Sequence, residues 1–274
     1  MATGVVANTN VPSLSASRIL ARNRHDLEKA MERLSSGKRI NTAADDATGM
    51  AVAAKIRADV RSLDQAVRNA NDAISFINTY DGAAAEIEGI LVRMRELATQ
   101  AQSETYTTSD LAHADAEFQQ LASEITRIDS FTEFNRSKYD DARTFQIGAT
   151  TNDTLAFDGD DLAISGPTAL ALSDDLLTSR GAASTALVAV DAALAKLATA
   201  RAEAGAYSNR LSYTVGNLMN VSQRLKEALS GVEDADYAAE SANLARGMVL
   251  AQAGTAMLAQ ANQAPQYILT LLRS

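Results

Sequence analysis

The chain has no cysteine and no tryptophan, and only 3 Pro, 14 Gly and 5% aromatic residues among its 274. Without cysteine, disulfides and thiolate metal sites are excluded. So few aromatics and breakers leave little material for an ordinary globular core. The apolar fraction of 46% leans on Ala, with Leu and Ile at regular spacing, the composition of long helices packed side by side. Charge is missing from both ends. Met1 to Ser17 carries no Asp, Glu, Lys, Arg or His, and neither does Gly247 to Leu272, in a chain that is 22% charged overall. Disordered tails are usually charged and polar, so these ends read as helices made to be buried, in other copies of the chain.

Net charge is −9, which argues against nucleic acid and anionic membrane as partners. Much of it lies between Asp140 and Asp175, where eight Asp face a single Arg, Arg143. No basic segment followed by an apolar stretch marks a secretory signal at the N-terminus. The uncharged C-terminal run is long enough to span a bilayer. It contains Gln252, Gln260, Asn262, Gln263 and Gln266, whose amides need partners in lipid, so burial among protein helices fits better.

Leu20, Leu27 and Leu34 repeat every seven residues, with Met31 between the last two, and Ser35, Ser36 and Gly37 end this first helix. A second helix is expected near Thr42, capped by Thr42 and Asp45. Its seam runs Ile56, Val60, Leu63, Val67, Ala70, Ile74 and Ile77, slips by three at Tyr80, and resumes through Ala84, Ile87, Leu91, Met94, Ala98 and Ala101. Such a slip is a stammer. After a break at Ser103 to Ser109 a third helix spans about Asp110 to Asp129. Thr144 to Ile147 and Thr154 to Phe157 then read as a β-hairpin, with Leu162 to Ile164 as a further strand.

Heptads return at Leu187 through Val190, Leu194, Leu197, Arg201, Ala204, Ser208, Leu211, Val215, Leu218, Ser222, Leu225, Leu229 and Val232. Gly231 and Asp234 to Asp236 mark a joint before a last helix, in which Leu250, Met257, Ala264 and Leu271 repeat every seven. The expected fold is mainly α: a long antiparallel helical coiled-coil bundle built from both chain ends, with a small central β-hairpin region.

Several stretches match a known pattern in order. They are Arg33-Leu34-Ser35-Ser36-Gly37-Lys38-Arg39-Ile40-Asn41 continuing to Ala53, Arg68-Asn69-Ala70-Asn71-Asp72-Ala73-Ile74-Ser75, Arg93-Met94-Arg95-Glu96-Leu97-Ala98 and Thr132-Glu133-Phe134-Asn135. Near the other end come Asn209-Arg210-Leu211, Glu233-Asp234-Ala235-Asp236-Tyr237 and Leu258-Ala259-Gln260-Ala261-Asn262-Gln263. Together they resemble bacterial flagellin, in a short form lacking large outer domains. One departure is Phe134-Asn135-Arg136, where the family commonly has Phe-Asn-Gly.

The resemblance implies a structural subunit that self-assembles into the extracellular helical filament of the bacterial flagellum for swimming, exported by the flagellar type III apparatus. It also implies three regions: a terminal coiled coil of 1–41 with 234–274 at the filament core, a rod of 42–139 with 182–233, and a variable segment, 140–181. Self-assembly is expected to fall on Leu14, Leu20, Leu27, Leu34, Leu250, Met257, Ala264 and Leu271. Implied partners are other copies, an export chaperone on the C-terminal helix, and hook-associated junction and cap proteins. Leu91, Arg93, Arg95 and Leu97, with Glu117, are similar to the stretch recognised by an innate immune receptor, although Val92 stands where recognised flagellins tend to have Gln. Rival readings are a hook–filament junction protein and a secreted helical binding module.

No enzyme, cofactor or metal is expected. His25 and His113 fall on different helices, and no zinc-helix, phosphate-loop or nucleophile motif occurs. Asp45 and Asp46 suit a helix start better than a cation. Asp158, Asp160 and Asp161 lack the Gly and distant Glu of an EF-hand.

Overall fold

A computed structural model of the chain describes residues 9–136, 143–157 and 177–273, with backbone alone for 264–273. Helix α1 spans Val11–Ser36, α2 Ala47–Ala101 and α3 Thr108–Phe131. Strands β1 (Arg143–Gln146) and β2 (Thr154–Phe157) follow, then α4 (Arg180–Glu233) and α5 (Tyr237–Arg273). The described residues are mainly α, as the heptads imply, with one antiparallel hairpin among them. The expected strand at Leu162 to Ile164 and the acidic turn at Asp158 to Asp161 lie outside the described residues.

The chain divides into two units, Met1–Ala58 with Leu225–Ser274 and Asp59–Arg224. In the first, Asn10 caps α1 by accepting from the Ser13 N–H at 3.1 Å, and Pro12 sits in the first turn, where its missing N–H is harmless. Gly37 ends α1 in the left-handed region, φ 72°, and donates its N–H to the Arg33 carbonyl. Only a residue without Cβ adopts that backbone freely. Helix α2 does not begin at Thr42. The Asp45 carboxylate does reach back to the Asn41 and Thr42 N–H groups, but it closes a loop there, and Asp46 caps the helix by accepting from Gly49 at 2.8 Å. The capping box appears instead at α3, between Thr107 and Asp110.

In the second unit α2 and α4 run antiparallel. Arg95 meets Asp191 at 2.6 Å, Arg201 meets Asp81 at 2.8 Å and also Glu88, and the Ser222 hydroxyl donates to Asp64 at 2.8 Å. The α2 positions fall as the α4 positions rise. Burial along α2 shows no phase slip. Leu63, Ala70, Ile77, Ala84, Leu91 and Ala98 are buried every seven residues, and Ala66, Ala73, Tyr80, Ile87, Met94 and Ala101 are buried three residues after each. The stammer at Tyr80 therefore dissolves: Val67 and Ile74 flank the seam, and the smaller Ala66 and Ala73 occupy it. On α4 the same holds for Ala193 and Ala200, with Leu194 and Arg201 beside them. Alanines at the seam let helices approach closely while larger neighbours close the sides.

The hairpin registers Arg143 opposite Phe157 and Gln146 opposite Thr154. Leu155 and Phe157 alternate inward, as period two requires. They meet a cluster centred on the buried Phe76 ring of α2, whose centroid lies 5.8 Å from Phe134, 5.8 Å from Phe145 and 5.6 Å from Phe157. Tyr207 of α4 adds a ring 5.2 Å from Phe157. Four of the six Phe in the chain thus gather at one point and fasten the hairpin to the rod.

Candidate assembly surface

The charge-poor ends pair with each other. On α1 the sheltered face is Ser13, Ala16, Leu20, Asn23, Leu27, Ala30 and Leu34, and on α5 it is Glu240, Leu244, Gly247, Ala251, Gly254, Leu258 and Ala261. Both follow a three-four rhythm, and they run antiparallel: Asn10 donates to the Ala261 carbonyl at 2.8 Å, while Arg33 pairs with Glu240 at 2.8 Å near the other end. Leucines of α1 seat on glycines of α5. A Cβ added at Gly247 would stand 3.1 Å from Leu27 Cδ1, and one at Gly254 would stand 3.2 Å from Leu20 Cδ1. The glycines are thus the floor under the leucine knobs, which sequence reading passed over in favour of Leu250 and Met257. Met31 likewise points outward, and Ala30 takes the sheltered place between Leu27 and Leu34.

Charged groups hold the seam at its joint. Lys38 and Arg57 both reach the Glu233 carboxylate, and Arg39 donates to the Val232 carbonyl. The backbone pairs there too, through Arg39 N–H to Glu233 and Ala235 N–H to Gly37. At Glu240, the hydrogen bond from Arg33 holds the carboxyl below its ordinary value, with a second bond from Asn243 acting the same way against the opposing effect of burial.

The residues expected to carry self-assembly divide into two groups. Leu20 is buried, and Leu27 and Leu34 are half-buried on the α5-facing side of α1. Leu14, Leu250 and Met257 face outward, 63%, 44% and 64% exposed. The side chains of Ala264 and Leu271 lie outside the described residues. Val11, Ile19, Met248 and Val249 join the outward apolar set, so each terminal helix is apolar on faces its own chain leaves open. Large contiguous apolar faces are costly in water and are commonly interaction sites.

The stretch resembling a receptor site divides similarly. Leu91 is buried in the α2 seam, and Leu97 is buried beside it. Arg93 is half-exposed and pairs with Glu117 of α3 at 2.8 Å and with Glu96 at 3.0 Å, and Arg95 pairs with Asp191. Asp45 and Asp46 spend their carboxylates on backbone N–H groups. Among the described residues no three His, Cys, Asp or Glu side chains gather as a metal site. Helix α4 is long and apolar enough to cross a membrane by length and composition, with mean hydropathy 1.4 in its most apolar window. Its apolar positions Ala183, Ala186, Val190, Ala193 and Leu197 are buried in the protein core.

Paired terminal helices with open apolar faces, joined to a coiled-coil rod that carries a hairpin, define a helical polymer subunit. Comparison with known proteins agrees along nearly the whole chain. Residues 7–139 match the bacterial flagellin N-terminal helical region, and residues 187–272 match the C-terminal helical region. The chain is 44% identical to a flagellin of Halalkalibacterium halodurans across 98% of its own length and all of the relative's. It is 37% identical to a flagellin of Bacillus subtilis, over 97% and 99% of the two chains. Among solved structures it resembles a Bacillus cereus flagellin, with TM-score 0.50 and 31% identity over 55% of this chain and 88% of that one. The chain belongs to the bacterial flagellin family.

Proposed function

We propose that the chain is the structural subunit of the bacterial flagellar filament, polymerising outside the cell into the helical tube used for swimming. The observation that carries this reading is the open apolar surface of α1 and α5, which a single copy leaves in water. The full-length likeness to flagellins, through both helical regions, favours the filament over a junction protein or a separate binding module. Flagellins form a structural family, and we read this chain as having no catalytic role.

Residues 1–41 with 234–274 act as the inner, assembling part, 42–139 with 182–233 as the rod, and 140–181 as the variable segment. Leu14, Leu250 and Met257 make contacts between copies, with Ala264 and Leu271 continuing their heptad. Leu20, Leu27 and Leu34 act one step back, by fixing α5 against α1 so that those outward residues are presented together. An export chaperone covers the apolar face of α5 before assembly, and junction and cap proteins use the same faces at the filament ends. An innate receptor, if one binds here, touches Arg93, Arg95 and Glu117, since Leu91 and Leu97 are buried.

Electron microscopy after seeding tests the reading, with full-length chain beside versions lacking Met1 to Ser17 or Gly247 to Ser274. Long filaments from the full chain and none from either truncation support it. A full chain that remains a compact monomer overturns it.

A further inference from the structure

With no cysteine in the chain, its only sulfur is the thioether of seven methionines. A thioether is what a mild oxidant such as peroxide attacks, and the attack follows exposure. Met1 lies outside the described residues. Met94 is fully buried in the α2 seam, and Met50 is half-buried in the first turn of α2. The remaining four stand open. Met31 on α1 is 43% exposed, Met248 on α5 is 53% exposed, and Met257 on α5 and Met219 on α4 are more open still. Three of these four lie on the terminal helices, among the apolar side chains that a single copy leaves in water.

Nothing in the helices calls for methionine at those three places. Leucine has nearly the same helix propensity, and Leu14 and Leu250 serve among the same outward residues. Ordering an unbranched methionine costs more rotamer freedom than ordering a leucine, so leucine is the more stable choice for a fixed contact. A thioether offers two things that leucine lacks, an adaptable shape and a sulfur that oxidises reversibly. Substitution by leucine separates the two.

We propose that Met31, Met248 and Met257 form a reversible oxidation site of the free subunit, that the oxidised subunit is excluded from the filament, and that polymerisation shields the same sulfurs. The proposal rests on the filament reading. In each event the sulfur lone pair attacks one oxygen of hydrogen peroxide, so that an S–O bond forms and the O–O bond breaks. The proton left on the transferred oxygen passes to the departing hydroxide, which leaves as water. Sulfur loses two electrons and the peroxide gains them. Reductases, one for each sulfoxide epimer, reverse the step with two electrons from a dithiol. A sulfoxide oxygen drawn into an apolar contact has to shed its water, and a polar group buried without a hydrogen bond disfavours the copy that carries it.

The test treats purified full-length subunit with hydrogen peroxide, removes the excess with catalase, and locates the sulfoxides by peptide mass spectrometry. Oxidation should appear at Met31, Met248 and Met257, and the critical concentration for polymerisation should rise at least about tenfold. Incubation with both sulfoxide reductases and a dithiol should restore it. A chain carrying Met31→Leu, Met248→Leu and Met257→Leu should polymerise within about twofold of the parent before peroxide and after it. Met219→Leu, placed on the rod, should leave the sensitivity of the parent unchanged.

The proposal is overturned if the three sulfurs do not oxidise, if a subunit oxidised at all three polymerises like the untreated one, or if the triple leucine variant is as sensitive as the parent. Protection by Met219→Leu alone also overturns it, as does a triple leucine variant that fails to polymerise before peroxide, since adaptable shape is then what the thioethers supply. Filaments formed first and then treated give a second readout. Their three methionines should oxidise at least about tenfold more slowly than in free subunits, and equal rates refute the shielding. Failure of the filament reading is distinguishable, because then the untreated parent chain itself does not polymerise.

Discussion

Phe76→Ala removes the ring on which the hairpin rests. Phe76 is fully buried, touches three other phenylalanine rings and lies under the Arg143 guanidinium, 5.1 Å from its centroid. Truncating a buried Phe costs about 3–5 kcal/mol in transfer and cavity terms. Edge contacts between rings add about 0.5–1.5 kcal/mol per pair beyond area, and three pairs are lost here, so we expect the upper part of the range, about 5 kcal/mol. Phe76→Leu keeps much of the volume and loses the ring edges, so it should cost about half as much. Urea unfolding followed by tyrosine fluorescence is the assay. The chain has no Trp, and Tyr207 lies against Phe157 inside the cluster. Proteolysis between β1 and β2 should accelerate in parallel. A loss under about 2 kcal/mol for Phe76→Ala would refute the cluster as the hairpin's main anchor.

Three further outcomes follow from particular groups. Arg136 holds φ at 62°, where the family commonly has Gly. Relief of about 1–2 kcal/mol of left-handed strain, less about 0.5–1 kcal/mol of glycine chain entropy, makes Arg136→Gly stabilising by roughly 0.5–1 kcal/mol in urea unfolding. Glu240 has its folded value depressed below 4.5, so its contribution is complete above that pH and disappears as pH falls through the folded value. The α1/α5 seam should therefore loosen in acid, and Glu240→Gln should flatten the pH dependence of α1 amide exchange in that window. Asn10→Ala loses both the cap to Ser13 and the tie to the Ala261 carbonyl. That should cost about 1 kcal/mol and raise exchange in the first turn of α1.

Period and punctuation were legible in the sequence. Gly37 as a helix end, the break before α3, the hairpin and the joint near Asp234 all rest on local residue chemistry, and the structure has them within a residue or two. Seam membership was less legible. Size misled the reading: Val67, Ile74, Leu194, Leu250 and Met257 are larger than Ala66, Ala73, Ala193, Gly247 and Gly254, yet the small residues lie where helices approach most closely. Choosing the larger residue created the false phase slip at Tyr80. Long-range pairs such as Arg201 with Asp81 and Glu88 leave no local trace, so Arg201 read as one more heptad position, although it is a clamp beside the seam. On α5 the same preference selected Leu250 and Met257, whose side chains face outward.

The most direct measurement is electron cryomicroscopy of filaments grown from the full-length chain, at a resolution that shows side chains. The account predicts α1 and α5 at the inner radius, with Leu14, Leu250 and Met257 packed against other copies and Leu20 and Leu27 still seated on Gly254 and Gly247 of their own chain. A polymer in which those three outward residues remain in solvent, or in which α1 and α5 of one chain have separated, would contradict it.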